Sequence, residues 1–275
     1  MSSKIIIYDD SCPLCAGYTG AFVKAGFIDA AGRKNFSTIT PELLCRINTE
    51  KCIDEIPVLD TETGQVWYGI DALLEILGQK IPAVKKIGTV KPVKWLLQKI
   101  YKFISFNRKV IVAPRKRAGN FDCTPHFNIP YRLLFIFVFL SFNTVMLFPL
   151  HQFVISNSLF GSTGLLQLQT AHACLVVINI VIALLLKKQA GLEYLGQINM
   201  LALLAILLML PLIAINKYTG LGNAGFNSFY LGALGLFLVA EYARRIKNIE
   251  LHKTHRSIIA INIICLACFI TYLLV

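Results

Sequence analysis

Five apolar runs in the second half of the chain constrain its fold more than any other feature. They cover residues 133–150, 165–186, 195–216, 226–242 and 258–275. Each is close to the length of about 20 residues that a helix needs to cross a bilayer. The fourth is short and contains Gly232 and Gly235, so its limits are the hardest to place. The sequence predicts an all-α transmembrane domain of about five spans.

Charge divides the chain at the same place. Residues 1–132 carry 19 Lys and Arg and 12 Asp and Glu, whereas residues 133–275 carry 8 and 3. We therefore predict a soluble domain at residues 1–130 and a transmembrane domain at residues 131–275. The apolar run near the N-terminus is too short for the core of a signal peptide, so we expect none.

Basic residues in the loops predict an orientation. The first loop has no Lys or Arg, the second has Lys187 and Lys188, the third has Lys217, and the fourth has five. Because basic loops stay in the cytoplasm, this pattern predicts a cytoplasmic N-terminal domain and a C-terminus outside. In a bacterium, the spans would lie in the inner membrane.

Residues 80–121 form a strongly basic segment with 12 Lys and Arg and no Asp or Glu. Such a segment could contact nucleic acid or an anionic membrane surface. It precedes the apolar runs and no nucleic-acid recognition motif accompanies it, so we expect membrane lipids and no nucleic acid. Residues 91–109 have the spacing of a basic amphipathic helix, which lies on the membrane or packs within the domain.

Residues 4–77 have the pattern of a small α/β domain. Four short runs bounded by polar or turn residues predict strands at 4–8, 35–38, 56–60 and 65–69. Three stretches predict helices at 13–25, 41–47 and 71–77. The order β-α-β-α-β-β-α is that of a thioredoxin-like domain, which is the fold class we predict for this part of the chain.

Cys12 and Cys15 lie where the first strand gives way to the first helix. Cys12 is at the N-cap, and Pro13 takes the first helical position, where its missing N–H costs nothing. A thiol attacks as its thiolate, and the unpaired N–H groups of a helix N-terminus favour negative charge. Cys12 is therefore the natural attacking thiol, and Cys15, one turn further along, is the resolving thiol.

Other interpretations of these residues stay open at this point. Asp9 is either a general base for the resolving thiol or a turn residue. Cys12 and Cys15 could be small buried apolar residues, or half of a zinc site with Cys45 and Cys52. Six residues separate the latter two, which is poor spacing for zinc. We expect no metal and no cofactor, and we expect Cys45 to pack on the helix at 41–47.

The stretch YDDSCPLC at residues 8–15 resembles the D-x-x-C-x-x-C signature of the DCC family of predicted thiol-disulfide oxidoreductases. Asp9, Cys12 and Cys15 fall on its three named positions. Asp10 stands where the family usually has glycine, which could alter the turn or the local charge. The resemblance implies thiol–disulfide exchange on a thioredoxin-like domain, with no particular substrate.

The resemblance extends over about residues 3–130. The family's C-terminal segment carries a tyrosine, an Asn-Arg pair and a late cysteine before a proline, matched here by Tyr101, Asn107, Arg108, Cys123 and Pro125. Thioredoxin-like domains also place a cis-proline against the active-site cysteines. We expect Pro57, at the start of the third strand, to be that proline and to shape the substrate groove.

Polar residues and cysteines in the apolar runs suggest two further roles. The cluster Gln167, Gln169, Thr170 and His172 could line a quinone or small-ligand pocket, or could bond helix to helix. Three cysteines at similar depth could relay electrons, or could be ordinary helix residues: Cys174, Cys265 and Cys268. Gln167 and its neighbours fit helix–helix bonding better.

The predicted function is a membrane-anchored thiol-disulfide oxidoreductase that works on the cytoplasmic side, with an unknown disulfide or thiol substrate and an unknown membrane partner. One alternative is a subunit of a membrane complex whose N-terminal domain serves for docking. Another is a transmembrane electron relay through the cysteines of the spans.

Overall fold

The chain divides into two compact units, residues 1–131 and residues 132–275. A computed structural model describes residues 3–113, 125–219, 223–247, 249 and 255–274. A small mixed sheet with flanking helices comes first, and long helices follow. The fold class predicted from the sequence, an α/β domain followed by an all-α domain, is confirmed.

Four short strands make the sheet: β1 Lys4–Tyr8, β2 Arg33–Asn35, β3 Pro57–Asp60 and β4 Val66–Tyr68. Their order is β2-β1-β3-β4. Strand β1 runs parallel to β2 and antiparallel to β3, and β4 is antiparallel to β3. This arrangement is thioredoxin-like, as predicted, and it places β1 inside the sheet with a partner on each side.

Six helices surround the sheet in the described part: α1 Pro13–Lys24, α2 Pro41–Leu44, α3 Thr49–Asp54, α4 Gly69–Lys80, α5 Pro82–Gly88 and α6 Lys91–Ile111. The strand predicted at 35–38 lies instead at 33–35 and leads into a 3₁₀ turn, Phe36–Thr38. The sequence did not predict α3 and α5, because helices of six and seven residues have little periodicity.

The two faces of the sheet carry separate apolar clusters, because successive strand residues point to opposite sides. Ile6 and Cys15 belong to the cluster on one face, which α1 and α4 also line. Ile7 and Phe36 belong to the cluster on the other face. The paired cysteines therefore lie in the apolar cluster of one face of the sheet.

Five long helices follow in the described part: α7 Ile129–Phe153, α8 Leu165–Leu184, α9 Lys188–Tyr218, α10 Ala224–Lys247 and α11 His255–Leu274. All five have a segment long and apolar enough to cross a membrane, which confirms the predicted spans. Helix α9 begins before the predicted start at residue 195, and α10 extends beyond 226–242 at both ends. In both cases the helix continues into less apolar sequence.

The packing of β1 gives a test of the fold. A Cβ atom at Gly32 would lie 2.7 Å from the backbone oxygen of Lys4, and a backbone atom cannot rotate away. Gly32→Ala should cost about 1–3 kcal/mol and speed hydrogen–deuterium exchange in β1 of the full-length protein. Gly20 of α1 has open space around it, so Gly20→Ala should stabilise the chain by about 0.5–1 kcal/mol. Equal exchange in both variants would contradict this packing.

Candidate active site

Cys12 caps the N-terminus of α1, as the sequence predicts. Its backbone is extended, with φ −96° and ψ 107°, and Pro13 begins the helix. The backbone N–H of Cys15 donates a hydrogen bond to the Cys12 Sγ atom, with a nitrogen–sulfur distance of 3.4 Å. The sulfur thus occupies the position that the oxygen of a capping Ser or Asp usually takes.

Both cysteines are buried free thiols within one apolar cluster. Cys12 exposes 5% of its surface and Cys15 exposes 4%. Their cluster includes Tyr8 of β1 and Ile56 at the start of β3. Very little of either cysteine is therefore accessible from outside the protein.

The two thiols differ strongly in acidity. The hydrogen bond from the Cys15 side chain lowers the pKa of Cys12 from 9.0 to about 7, against the opposing effect of burial. The Cys15 backbone N–H and the positive charge of Arg108 lower that pKa further. The same hydrogen bond to Cys12, together with burial, raises the pKa of Cys15 far above its ordinary value. Cys12 is therefore the more acidic thiol of the pair, and Cys15 keeps its proton near neutral pH.

The two aspartates before Cys12 hold the turn. Asp9 Oδ1 accepts hydrogen bonds from the backbone N–H of Ser11 at 3.0 Å and from its hydroxyl at 2.6 Å. Asp9 Oδ2 lies 3.8 Å from a guanidinium nitrogen of Arg108. Asp10, at the position where the family usually has glycine, accepts a hydrogen bond from the Ser37 hydroxyl at 2.8 Å. Asp9 is therefore a turn residue in geometry, and its role as a base stays a prediction.

Helix α6 contributes two side chains to which the sequence analysis assigned no role. The Tyr101 hydroxyl accepts a hydrogen bond from the Ile56 N–H at 2.9 Å. Arg108 is 6% exposed and donates to the Ile53 carbonyl at 3.0 Å. Its charge lowers the pKa of both cysteines. The sequence signal for these two residues was the family resemblance, which has a tyrosine and an Asn-Arg pair at these positions but gave them no role.

Pro57 begins β3 and is buried, but the expectation of a cis-proline is wrong. All described peptide bonds are trans, including the bond between Ile56 and Pro57. An X–Pro bond favours trans by about 0.5–1 kcal/mol in general, and the Ile-Pro dipeptide alone gave no reason for the cis form. Ile56 packs in the cluster of the two cysteines, so the start of β3 does lie beside the site.

The structure describes two further cysteines of this unit, Cys45 and Cys52. Among the described residues there is no group of three or more His, Cys, Asp or Glu that could hold a metal ion. Cys45 is exposed, with Sγ 3.2 Å from the Glu42 carbonyl oxygen, so the expectation that it packs against the helix is wrong. Cys52 is buried, and burial raises its pKa to about 12. Cys123 lies outside the described residues.

Comparison with known proteins shows that most of this unit is similar to one family. Residues 6–113 match the family model described as DCC1-like thiol-disulfide oxidoreductase, which confirms the resemblance seen in the sequence. The match includes Cys12, Cys15 and Arg108. No curated protein and no solved structure matches the chain. A domain that matches the DCC1-like thiol-disulfide oxidoreductase family model therefore precedes five helices that could span a membrane.

The charge of Arg108 can be tested through the acidity of Cys12. Arg108→Met should raise the pKa of Cys12 from about 7 towards 9.0, because a cation that favours the thiolate is lost. The thiolate fraction at pH 7 then falls, and alkylation of Cys12 by iodoacetamide slows several-fold, with the rate rising at higher pH than in the unchanged protein. Peptide mass spectrometry across a pH series measures this rate.

Lys102→Met is the matched control, since it removes a positive charge from an exposed position on the same helix. Its pH profile should match that of the unchanged protein. Identical profiles for Arg108→Met and Lys102→Met would show that Arg108 does not set the acidity of Cys12.

Proposed function

We propose that the N-terminal unit is an enzyme that catalyses thiol–disulfide exchange at Cys12 and Cys15. The observation that carries the proposal is the position of Cys12 at a helix N-terminus, where the Cys15 N–H donates to its sulfur at 3.4 Å and helps to lower its pKa to about 7. A thiol with a pKa near the ambient pH combines a useful thiolate fraction with good nucleophilicity. The family match to residues 6–113 supports the same reaction class.

The proposed reaction has two exchange steps. The Cys12 thiolate attacks one sulfur of a substrate disulfide, forms a mixed disulfide and releases the other sulfur as a thiolate. Cys15 then loses its proton and attacks the Cys12 sulfur, which forms the Cys12–Cys15 disulfide and releases the second substrate thiolate. The substrate is reduced by two electrons and the cysteine pair is oxidised. A thiol reductant or a membrane partner must reduce the pair again.

Cys15 needs a base, because its pKa is raised far above neutral. Once Cys12 is in a mixed disulfide, the hydrogen bond that holds the Cys15 proton is lost. Asp9 is our proposed acceptor for that proton, since its carboxylate is close enough to act on the pKa of Cys15. Pro57, at the entry to β3, is proposed to shape the opening for the substrate.

We further propose that this unit faces the cytoplasm and that the five apolar helices hold it at a membrane, in a bacterium the inner membrane. The basic loops before the first span and after the second and fourth spans support this orientation. The C-terminus would then lie outside.

Anionic lipid is the proposed partner of α6. Leu96, Ile100 and Ile104 are exposed and recur every four residues, so they form one apolar stripe along the helix. Trp95 is 61% exposed, with the Lys99 ammonium 5.8 Å from its ring. Exposed apolar side chains beside lysines are the pattern of a helix that lies in a membrane interface.

The alternative functions have less support. Cys174 and Cys268 are exposed and Cys265 is partly exposed, and all three are free thiols. They lie on α8 and α11, and no disulfide joins them in the described part of the chain. The docking-subunit alternative gives no reason for the lowered pKa of Cys12.

Trapping the mixed disulfide tests the enzyme. With oxidised glutathione as the probe, Cys15→Ser should accumulate a glutathione adduct on Cys12, because the resolving thiol is absent. Cys12→Ser should form no adduct at Cys15. In the unchanged protein, a redox titration should give a Cys12–Cys15 disulfide with a potential between about −120 and −270 mV.

Peptide mass spectrometry of the full-length protein locates the adduct and the disulfide. Buried Cys52 serves as the internal control, since its raised pKa predicts no adduct. No adduct at Cys12 at any redox poise would reject the proposed function and favour the docking module.

Tryptophan fluorescence tests the lipid contact. The chain has two tryptophans, so Trp67→Phe leaves Trp95 as the single reporter. In nanodiscs that contain brominated anionic phospholipids, Trp95 emission should be quenched, and the quenching should weaken in neutral lipid or high salt. The Trp95→Phe variant leaves the partly buried Trp67, which should be quenched little. Equal quenching in the two variants would contradict the lipid contact of α6.

A further inference from the structure

The second unit contains a cavity of about 490 Å³ that the proposed exchange reaction does not use. All five long helices contribute to its wall, which is mostly leucine, isoleucine, valine and alanine. Its volume lies within the range of about 300–1,000 Å³ that is typical of small-molecule sites. A few polar side chains interrupt this apolar wall.

Among the described residues that line the cavity, Asn143 of α7 has a buried side-chain acceptor without a hydrogen-bond donor. Its side chain lines the cavity and is 2% exposed. Its Nδ2 atom donates to the backbone oxygen and to the Oδ1 atom of Asn199, at 3.3 and 3.1 Å, so the orientation of the amide is fixed. Its Oδ1 atom is buried and has no hydrogen-bond partner among the described residues. A buried acceptor without a donor costs free energy, which a ligand could recover.

His172 of α8 lines the same cavity and forms a hydrogen bond with α7. The Thr144 hydroxyl donates to the Leu140 carbonyl at 2.9 Å, so its oxygen accepts the hydrogen bond from His172 Nε2 at 3.2 Å. This assigns a proton to Nε2. His172 therefore bonds α8 to α7 through Nε2.

Other polar residues of the wall are bonded to one another. Tyr194 donates to the side-chain oxygen of Asn179 and accepts from Asn262 Nδ2 at 2.9 Å. Asn262 also donates to the Ile258 carbonyl, and Tyr242 donates to the same oxygen. Among the described residues of the wall, the buried acceptor that lacks a donor is thus Asn143 Oδ1.

We propose that this cavity binds an apolar molecule from the membrane that carries a hydroxyl group at its polar end, an alcohol or a phenol. The hydroxyl donates a hydrogen bond to Asn143 Oδ1, and the hydrocarbon part occupies the apolar wall. A charged head group does not fit, because no charged side chain lines the described cavity.

The pocket that the sequence suggested is placed differently. Of the cluster around His172, only His172 lines this cavity. Gln167 donates to the Tyr272 carbonyl at 2.6 Å and so bonds α8 to α11. Thr170 donates to the Leu166 carbonyl of its own helix. Asn143, which completes the site, was not among the residues suggested by the sequence.

A matched pair of probes tests the hydroxyl. The full-length protein in lipid nanodiscs is titrated with 4-octylphenol or with its methyl ether, 4-octylanisole, and the rise in unfolding temperature gives an apparent affinity. The phenol should bind about tenfold more tightly than the ether, because only the phenol can donate to Asn143. Equal affinities, or no rise with either probe, would overturn the proposal and leave a cavity filled by acyl chains.

Variants locate the site independently. Asn143→Leu should reduce the preference for the phenol to within about twofold, whereas Asn179→Leu should keep it, since Asn179 Oδ1 already accepts a hydrogen bond from Tyr194. Ala202→Phe places a large side chain in the cavity wall and should abolish the binding of both probes, while Asn143 itself is unchanged. A preference that survives both Asn143→Leu and Ala202→Phe would place the binding elsewhere and overturn the proposal.

A second pair of probes distinguishes the source of the hydroxyl. Decanol and its methyl ether are compared in the same nanodiscs. Tighter binding of the phenol identifies an aromatic hydroxyl such as that of a quinol, and tighter binding of decanol identifies an aliphatic lipid alcohol. Loss of Cys12 should leave all these affinities unchanged, so the proposed exchange reaction and this binding site can fail separately.

Discussion

The first N–H groups of α1 have no hydrogen-bond acceptor within the helix. The acidity of Cys12 depends on which atom outside the helical bonding pattern accepts from them. The Cys15 N–H donates to the sulfur of Cys12 instead of to a serine or aspartate oxygen. A requirement of every helix N-terminus therefore becomes stabilisation of a thiolate. Burial in the apolar cluster strengthens this hydrogen bond, because water does not compete for the donor.

Local signals in the sequence account for the part of this site that could be predicted. A short apolar strand followed by Cys-Pro places Cys12 at a helix N-cap without knowledge of the rest of the fold. Arg108 and Tyr101 could not be assigned in that way, because they reach the site only through the packing of α6 beside the start of β3. The trans bond before Pro57 shows a different kind of error. The cis bond was expected because thioredoxin-like domains have one there, and nothing in the local sequence supported it.

The long helices follow the same division between local and non-local information. Runs of apolar residues predicted all five, because length and hydropathy are properties of the segment itself. The contact between Asn143 and Asn199 depends on the register of α7 against α9. The spacing of apolar residues along each helix does not predict that register. Gln167 could be identified as polar from the sequence, but its carbonyl partner on α11 could not. The sequence thus shows which polar residues of an apolar helix need a hydrogen-bond partner, but it does not show which residue is that partner.

Helix α6 connects an exposed apolar surface with the acidity of Cys12. Its 21 residues carry Trp95 and Lys99 near one end and Arg108 near the other. A surface that binds the first end and shifts the helix would change the distance from the guanidinium to the thiols, and with it the acidity of Cys12. Thermodynamic reciprocity then requires the converse, that ionisation of Cys12 changes the affinity of α6 for that surface by the same factor. The ionisation of a buried thiol would therefore be measurable at a distance from it, as a change in how strongly α6 binds the surface.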